Sequence, residues 1–299
     1  MLKIGDIVGM EAQGGGLISR LIKFGNREPG EGPTRVSHDA MACAPATYWE
    51  DQEGYFHLQY SWPGTSEKYY SQFGPAPAYA NLLTGEIERG KFKPAPYTIQ
   101  LTPENGWIMS RLVESTSPKV INSRCIGYYL AKGNCYIYRI KGLNEAALER
   151  VVGFALDRVG DRYGFGHIGL YAVSAALGRL FSYPVYWIAR LLRAKVNFRS
   201  PRIYRNDPKA PMVCSQLVAA AYASFTPVAR LSVSTFEDNQ LIEKQINVDI
   251  PKIEFGGPWG CIAPDDIDDW CLAESQLFDG RAEEVFTGGL EDAIGQSTG

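Results

Sequence analysis

The sequence predicts an α+β fold in which an antiparallel sheet packs against the helix that begins at Cys214. Short, partly alternating apolar runs bounded by Pro, Gly and Asp predict strands at 36–44, 55–60 and 134–140. Asn144 can cap a helix whose apolar stripe continues to Leu156, and the helical spacing of apolar residues predicts another helix over 214–223. Both kinds of element occur along one chain without any repeat of 20–50 residues, so a solenoid is excluded.

Composition describes an ordinary globular chain. Of its 299 residues 45% are hydrophobic and 21% charged, and its formal net charge is −3. No strong global field favours nucleic acid, and no secretory signal opens the chain, so we predict a cytoplasmic protein. The chain has 6 cysteines, none in a Cys-x-x-Cys pair, and 3 histidines, which argues against a structural zinc site and favours free thiols.

The chain is expected to form a single domain over residues 1–285. Pro, Gly and Ala between 74 and 97 predict an extended connection over about 76–134, within which Trp107–Ser115 is predicted to be helical. A helical insertion is predicted over about 168–205, and a flexible tail over 286–299.

Cys214 stands where a polar, proline-containing loop meets a helix. Together with Leu217, Val218 and Ala221 it follows the i, i+3, i+4, i+7 spacing of an inward stripe. In the first turn of a helix a thiol feels the positive end of the macrodipole, which favours thiolate, and the same unpaired amides can hold an oxyanion. The alternative is a buried cysteine that begins a core helix.

Two histidines lie on neighbouring predicted strands. His38 follows a Gly/Pro loop on the first strand, and His57 lies on the next one. A thiolate nucleophile needs a base and the base needs an orienter, so the pair can supply both groups. The alternative is two polar residues on solvent faces. His167 follows a glycine turn, and we interpret it as structural.

Seven short segments follow one another along the chain. The first three are an opening strand, Gly5-Asp6-Ile7-Val8, a histidine strand that begins with Ser37-His38, and a second strand with Tyr55-Phe56-His57. Then come a strand followed by a helix, Tyr136-Ile137-Tyr138-Arg139, a tyrosine turn, Gly160-Asp161-Arg162-Tyr163-Gly164, a cysteine helix, Val213-Cys214-Ser215-Gln216-Leu217-Val218, and a Pro-Asp segment, Ile262-Ala263-Pro264-Asp265-Asp266-Ile267. This order resembles the permuted NlpC-like (YiiX/YebB-like) branch of papain-fold cysteine hydrolases, to which lecithin:retinol acyltransferase-like proteins are related. The resemblance covers roughly residues 4–75 and 135–225.

The resemblance implies a circularly permuted papain-like fold and a set of catalytic residues. Cys214 would be the nucleophile and His38 its base. The third position often holds an acidic residue or histidine in this group, and His57 is our choice for it, with Gln59 and Glu50 as alternatives.

The implied reaction is cleavage of an amide or isopeptide bond through a thioacyl intermediate. Tyr163, Ser215 and Gln59 are expected at the oxyanion and substrate sites, and neither a metal nor an organic cofactor is expected. The predicted partner is a peptide, amide or acyl-lipid substrate, and no nucleic acid. A lipid-directed thiol acyl hydrolase or acyltransferase, and a catalytically inactive binding module, stay open as alternatives.

The apolar segment 168–196 precedes the nucleophile. It is as long as a membrane span, but Arg179 and Pro184 argue against one. The basic residues that follow suit a helix at a lipid surface, giving a peripheral membrane contact; the alternative is a hairpin packed on the domain. We expect helices that are broken near Pro184 and lie beside the cleft. A lipid-guiding segment would expose Trp187, Ile188 and Leu191 as an apolar patch flanked by Arg190 and Arg193.

Overall fold

The computed structural model describes residues 2–11, 34–64, 69–73, 76–90, 95–166, 184, 187–188, 191, 209–223, 228–237, 240–249, 253, 255 and 262–295. The strands, in chain order, are β1 (Ile7–Met10), β2 (His38–Ala44), β3 (Ala46–Glu50), β4 (Phe56–Tyr60), β5 (Tyr69–Phe73), β6 (Ala78–Asn81), β7 (Ile87–Arg89), β8 (Thr98–Gln100), β9 (Arg111–Ser115), β10 (Val120–Ile121), β11 (Cys135–Ile140), β12 (Val228–Glu237), β13 (Gln240–Asp249) and β14 (Ala282–Gly288). The α-helices are α1 (Ile126–Leu130), α2 (Glu145–Leu156), α3 (Cys214–Ala223), α4 (Pro264–Ser275) and α5 (Leu290–Gly295). Helices and antiparallel strands together confirm the α+β class.

A six-stranded antiparallel sheet organises the described part of the chain. Its strand order is β10-β9-β2-β1-β11-β14, so β1 and β2 lie at its centre. In register, Val8 of β1 lies opposite Ala40 of β2 and Ile137 of β11. Smaller sheets β3-β4-β5, β7-β6-β8 and β12-β13 accompany it. The site described below lies on β2, its neighbour β9 and the helix α3.

Apolar side chains on the two faces of the large sheet form two cores. One contains Met41 of β2 with Leu217 and Val218 of α3, and the other contains Ala40 of β2 with Leu58 and Ile108. Small or apolar side chains on both faces let β2 run through the middle of the molecule. The first core also contains Tyr136, Tyr138 and Ile140, so these alternate residues of β11 share a face.

Local sequence signals placed several elements correctly. The strands predicted at 36–44, 55–60 and 134–140 correspond to β2, β4 and β11. Helix α2 begins after Asn144, whose side-chain oxygen accepts a hydrogen bond from the Ala147 amide at 2.8 Å. The helix predicted over 214–223 has those bounds in the structure.

The helix predicted over Trp107–Ser115 is wrong. A short 3-10 helix covers Gly106–Met109, and the strand β9 follows. Leu112 and Val113 are successive residues that pack in opposite cores, as strand neighbours do and helix neighbours do not. The predicted connection 76–134 therefore contributes a strand, β9, that pairs with β2 in the large sheet.

The predicted tail over 286–299 is also wrong up to residue 295. Strand β14 continues to Gly288 beside β11, and α5 follows it. Phe286 lies opposite Ile137 and is buried in the second core, as is Ala293 of α5. The burial of these two side chains explains why this end of the chain is ordered.

The predicted insertion 168–205 lies outside the described residues except at 184, 187–188 and 191, which are helical. The predicted arrangement of this insertion beside a cleft therefore stays a prediction. Within the described part of the chain, no helix combines the length and apolar character that crossing a bilayer requires.

Candidate active site

Helix α3 holds Cys214 in a fixed and buried position. The Leu217 amide donates to the Val213 carbonyl at 3.0 Å, which closes the first turn. The Gln216 side-chain oxygen accepts from the Val213 amide at 3.3 Å, the reciprocal half of a capping box. Cys214 is 1% exposed. Gln216 thus fixes the turn that carries the thiol.

The loop before α3 is anchored to the sheet and to the tyrosine turn through one carbonyl. The Met212 carbonyl accepts from the Ser115 hydroxyl at 2.6 Å and from the Gly164 amide at 3.1 Å. A Cβ added at Gly164 would lie 2.8 Å from the Pro211 carbonyl oxygen, so only glycine allows this approach. Gly164 of the tyrosine turn therefore positions the loop that leads into α3.

Gly164→Ala should lower the free energy of unfolding by about 1–3 kcal/mol, because the new methyl group collides with backbone atoms of the loop that leads to Cys214. Urea denaturation measures this. Gly166→Ala is the matched control, since a Cβ there meets no atom within 4 Å. Equal stability of the two variants would show that the loop moves aside without cost.

Three side chains from three elements lie next to one another. The Cys214 thiol of α3 is close enough to the His38 imidazole at the start of β2 for each group to shift the pKa of the other. The Nε2 atom of His38 lies 2.5 Å from Oε2 of Glu114 on β9. Because Nε2 is occupied, Nδ1 is the ring nitrogen that can face the sulfur. The structure thus brings together the two residues predicted as nucleophile and base, and adds a carboxylate.

The imidazole controls the charge of the thiol. Burial opposes ionisation of Cys214, but the adjacent His38 charge, its hydrogen bond and the backbone amides of Asp39 and Ser215 hold the Cys214 pKa below its ordinary value. Burial likewise opposes protonation of His38, yet Cys214 and Glu114 raise the pKa of His38 well above its usual range. Shifts in these opposite directions favour a thiolate–imidazolium pair near neutral pH.

Glu114 is a fully buried carboxylate with several donors around it. Besides His38, it accepts a short hydrogen bond from the Tyr129 hydroxyl, and Arg124 approaches its other oxygen at 3.5 Å. Burial raises the pKa of Glu114, but the bonds from His38 and Tyr129 and the Arg124 charge bring it below the ordinary value. Glu114 is therefore ionised and able to orient and stabilise a protonated imidazole.

The structure gives His57 a different partner from the one expected. His57 lies on β4, in the β3-β4-β5 sheet, with Nε2 2.7 Å from Oδ2 of Asp51 and its ring stacked on Trp49. The geometry therefore favours Glu114, not His57, as the orienter of His38. Strands that follow one another in sequence need not pair: β2 pairs with β1 and β9, whereas β4 pairs with β3 and β5.

The two alternatives for the third position lie in the same small sheet as His57. Gln59, also predicted to bind substrate, lies on β4 opposite Thr47 of β3. Glu50 is exposed at the end of β3, opposite Phe56. Neither is the carboxylate or amide that touches the His38 ring, so the geometry supports neither as the orienter. Sequence reasoning missed Glu114 because it assigned the surrounding segment to a helix; the one available signal was an acidic residue directly after the apolar pair Leu112-Val113.

Two residues predicted at the oxyanion site do lie beside Cys214. The Ser215 hydroxyl donates to the Ile262 carbonyl at 2.8 Å, while its backbone amide is directed at the sulfur. Tyr163 is 8% exposed, and burial, followed by the negative charge of Cys214, raises its pKa. Ser215 thus offers its amide, and Tyr163 keeps a protonated hydroxyl close to the reactive sulfur.

A buried carboxyl group, Asp39, lies next to the nucleophile and was not anticipated. Neither side-chain oxygen has a hydrogen-bond partner among the described residues. Burial first, and then the Cys214 charge, raises the Asp39 pKa well above its usual range. Asp39 is therefore protonated near neutral pH and places no second negative charge beside the thiolate.

Acidic side chains also gather on α4. Asp265, Asp268 and Asp269 have oxygens within 4.8 Å of one another. Asp268, however, accepts from Arg35 at 2.6 Å and from the Tyr138 hydroxyl at 2.6 Å. Protein donors thus already satisfy its most buried member, so we assign the group no metal.

Comparisons with known proteins found no family model, no curated protein and no solved structure that matches this chain. The chemistry of the site must therefore follow from Cys214, His38, Glu114 and their surroundings.

Iodoacetamide should alkylate Cys214 faster than the other described thiols at neutral pH, because thiolate is the reacting species and the pKa of Cys214 is lowered. As pH falls, the rate should drop only below the ordinary thiol pKa of about 8.5. His38→Ala should move this profile upward by about one pH unit or more, since burial then dominates. Burial raises the pKa of Cys43 to about 12, so peptide mapping should find Cys43 slow. An unmoved profile in His38→Ala would contradict the pairing.

Proposed function

We propose that the protein is a cysteine hydrolase of permuted papain-like arrangement that cleaves an amide or isopeptide bond. The observation that carries the proposal is the series Cys214–His38–Glu114 at the start of a buried helix. Each member has the charge its role requires: a thiol with a lowered pKa, an imidazole with a raised one, and an ionised carboxylate.

In the acylation step, the Cys214 thiolate attacks the carbonyl carbon and a carbon–sulfur bond forms. The resulting oxyanion accepts hydrogen bonds from amides of the first turn of α3, with the Tyr163 hydroxyl as a further donor. Protonated His38 gives its proton to the leaving nitrogen, the carbon–nitrogen bond breaks, and the amine departs. A thioacyl enzyme and a neutral imidazole remain.

In the deacylation step, His38 takes a proton from water as the water oxygen attacks the thioester carbon. A carbon–oxygen bond forms and the carbon–sulfur bond breaks, which returns Cys214 as thiolate beside protonated His38. Glu114 keeps the ring in place through both steps and stabilises its protonated form. The His38 side chain retains 19% exposure, so solvent has a route to the base.

The permuted arrangement is supported by the order of the elements. The histidine strand β2 comes before the cysteine helix α3 in the chain, the reverse of the unpermuted papain-like order, and α3 packs directly on β2. Tyr163 and Gly164, the end of the tyrosine turn, contact the site as the resemblance implies.

A lipid-directed thiol acyl hydrolase or acyltransferase is the second candidate. It is favoured by exposed apolar side chains at Trp187, Ile188 and Leu191, in the segment before the nucleophile. The covalent steps would be the same, with an ester or thioester in place of the amide and, for a transferase, an acceptor other than water.

Trapping the thioacyl enzyme tests the proposal. The full chain is mixed with a panel of peptide amides, isopeptides, acyl esters and thioesters, quenched in acid, and mapped by mass spectrometry. Acyl adducts on Cys214 from amide substrates, absent in Cys214→Ala, are the expected result. Adducts from esters alone would favour the lipid-directed candidate. Ligand binding without any adduct would leave an inactive binding module.

A further inference from the structure

The charge of this chain is unevenly distributed along its sequence. Residues 162–206 contain eight basic residues and no acidic one. The remaining 22 basic and 33 acidic residues give the rest of the chain a net charge of −11, although the formal net charge of the whole chain is only −3. A segment of charge +8 is therefore attached to an acidic protein, and seven of its eight basic residues lie between Arg179 and Arg205.

Within this segment, four described residues with apolar side chains have helical spacing and form a row. Pro184, Trp187, Ile188 and Leu191 are all helical, and their spacing of i, i+3, i+4 and i+7 places them on one face. All four are exposed; the three largest have exposed fractions of 54%, 55% and 80%. Exposed apolar side chains grouped on one face in this way are typical of an interaction surface.

We propose that this row, Pro184–Leu191, docks the protein in the plane of an anionic lipid surface. Trp is the residue type most suited to the boundary between headgroups and acyl chains, and Ile188 and Leu191 supply aliphatic surface beside it. Each Lys or Arg near an anionic bilayer adds attraction, and the +8 segment supplies this while the −11 remainder is repelled. The charge separation therefore orients the protein with this segment toward the lipid.

The chemistry of the row favours lipid over nucleic acid. Phosphate backbones attract the basic residues equally well, and a base can stack on Trp187, but nucleic acid offers no place to bury Ile188 and Leu191. A bilayer accommodates both properties at once. Docking needs neither the thiol nor the imidazole, so the proposal is independent of the hydrolase activity.

Vesicle co-sedimentation of the full chain tests the docking. Phosphatidylcholine vesicles are compared with an equal mixture of phosphatidylcholine and phosphatidylglycerol, at low and high salt. We expect binding to the mixed vesicles at low salt, weakened several-fold at high salt because surface attraction is screened. The triple variant Trp187→Ala, Ile188→Ala, Leu191→Ala should lose about tenfold or more in partitioning, since the inserted apolar area is removed. Arg190→Gln with Arg193→Gln should weaken binding several-fold.

Three controls separate docking from other effects. Phe278→Ala removes a fully exposed aromatic outside the segment and should leave vesicle binding unchanged. Trp187→Phe keeps the surface apolar, so binding should persist while quenching of tryptophan emission by brominated lipid declines. Cys214→Ala should bind as the unmodified chain does, which keeps failure of the catalytic proposal distinct from failure of this one.

Failure of the unmodified chain to bind mixed vesicles at low salt would overturn the proposal. So would equal loss of binding in Phe278→Ala and in the triple variant. Tight binding of a single-stranded oligonucleotide that is lost in the double arginine variant, without vesicle binding, would assign the segment to nucleic acid instead.

Discussion

Cys214→Ala should lower kcat/KM on any substrate found by trapping by at least about 1,000-fold, because the covalent route disappears with its nucleophile. Cys214→Ser should lower kcat/KM by nearly as much. A hydroxyl has far too high a pKa to ionise beside His38, so the preformed ion pair is lost although the shape of the site is kept. Steady-state kinetics of purified variants measures both losses, and urea denaturation confirms that the variants are folded.

Cys43→Ser is the matched control for this loss. Cys43 is also fully buried, in the core that contains Leu217 and Val218 of α3, and its thiol donates to the Arg111 carbonyl at 3.4 Å, a bond that a serine hydroxyl can replace. Its activity should stay within a few-fold of the unmodified chain. Retention of activity in Cys214→Ala would show that the Cys214–His38 contact is structural and that the reaction proceeds elsewhere.

The position of Cys214 at the start of a helix was predictable because its signals are local. A polar loop, a cysteine and a run of apolar residues at helical spacing all lie within a dozen positions, and α3 begins at Cys214 as that pattern predicts. The strand with His38 and the helix capped by Asn144 likewise follow from neighbouring residues. For these elements, local propensity and the global fold agree.

The contact of Glu114 with His38 was not predictable because it depends on a nonlocal strand pairing. Glu114 is 76 positions from His38, and only the pairing of β2 with β9 brings them together. His57 was the natural choice in sequence because it is the nearest histidine, but its strand belongs to another sheet. Which strands become neighbours is decided by how the cores pack, and no short window of sequence contains that information.

Helical turn signals at Trp107–Met109 produced the related error at β9. These residues do form a 3-10 helix, but it ends before Arg111. From Arg111 onward the chain is a strand, in which successive side chains alternate between the two cores. Over so few residues the strand and helix patterns overlap, and burial on both faces of a sheet decides between them.

The site also has a stability cost that the proposed function would explain. Cys214, Asp39 and Glu114 are buried ionisable groups within one small region, and removing any charge from water is unfavourable. Hydrogen bonds satisfy Glu114, whereas the Asp39 oxygens have none among the described residues. Such an arrangement is typical of sites where pKa values are adjusted for chemistry.

Glu114→Gln should lower kcat/KM by about 100-fold, whereas His57→Ala should change it by only a few-fold. The His38 pKa is raised by Cys214 first and by Glu114 next, and the glutamine keeps the size of the side chain but removes the contribution of the Glu114 charge. The His38 pKa should therefore fall, and the alkaline limb of the rate profile, where the imidazolium is lost, should move to lower pH. A merely structural role for Glu114 would reduce the rate without moving that limb, so the pH profile distinguishes the two.

Glutamine is the informative substitution because Glu114→Ala leaves Tyr129 and Arg124 without their carboxylate partner. Deleting one partner of a buried ion pair costs about 3–5 kcal/mol, enough to confuse lost folding with lost catalysis. His57→Ala is the matched comparison, since it removes the other described histidine–carboxylate contact, that with Asp51. If His57→Ala proves the more damaging variant and Glu114→Gln leaves the alkaline limb in place, then His57 is the orienter and the Glu114 contact only supports the fold.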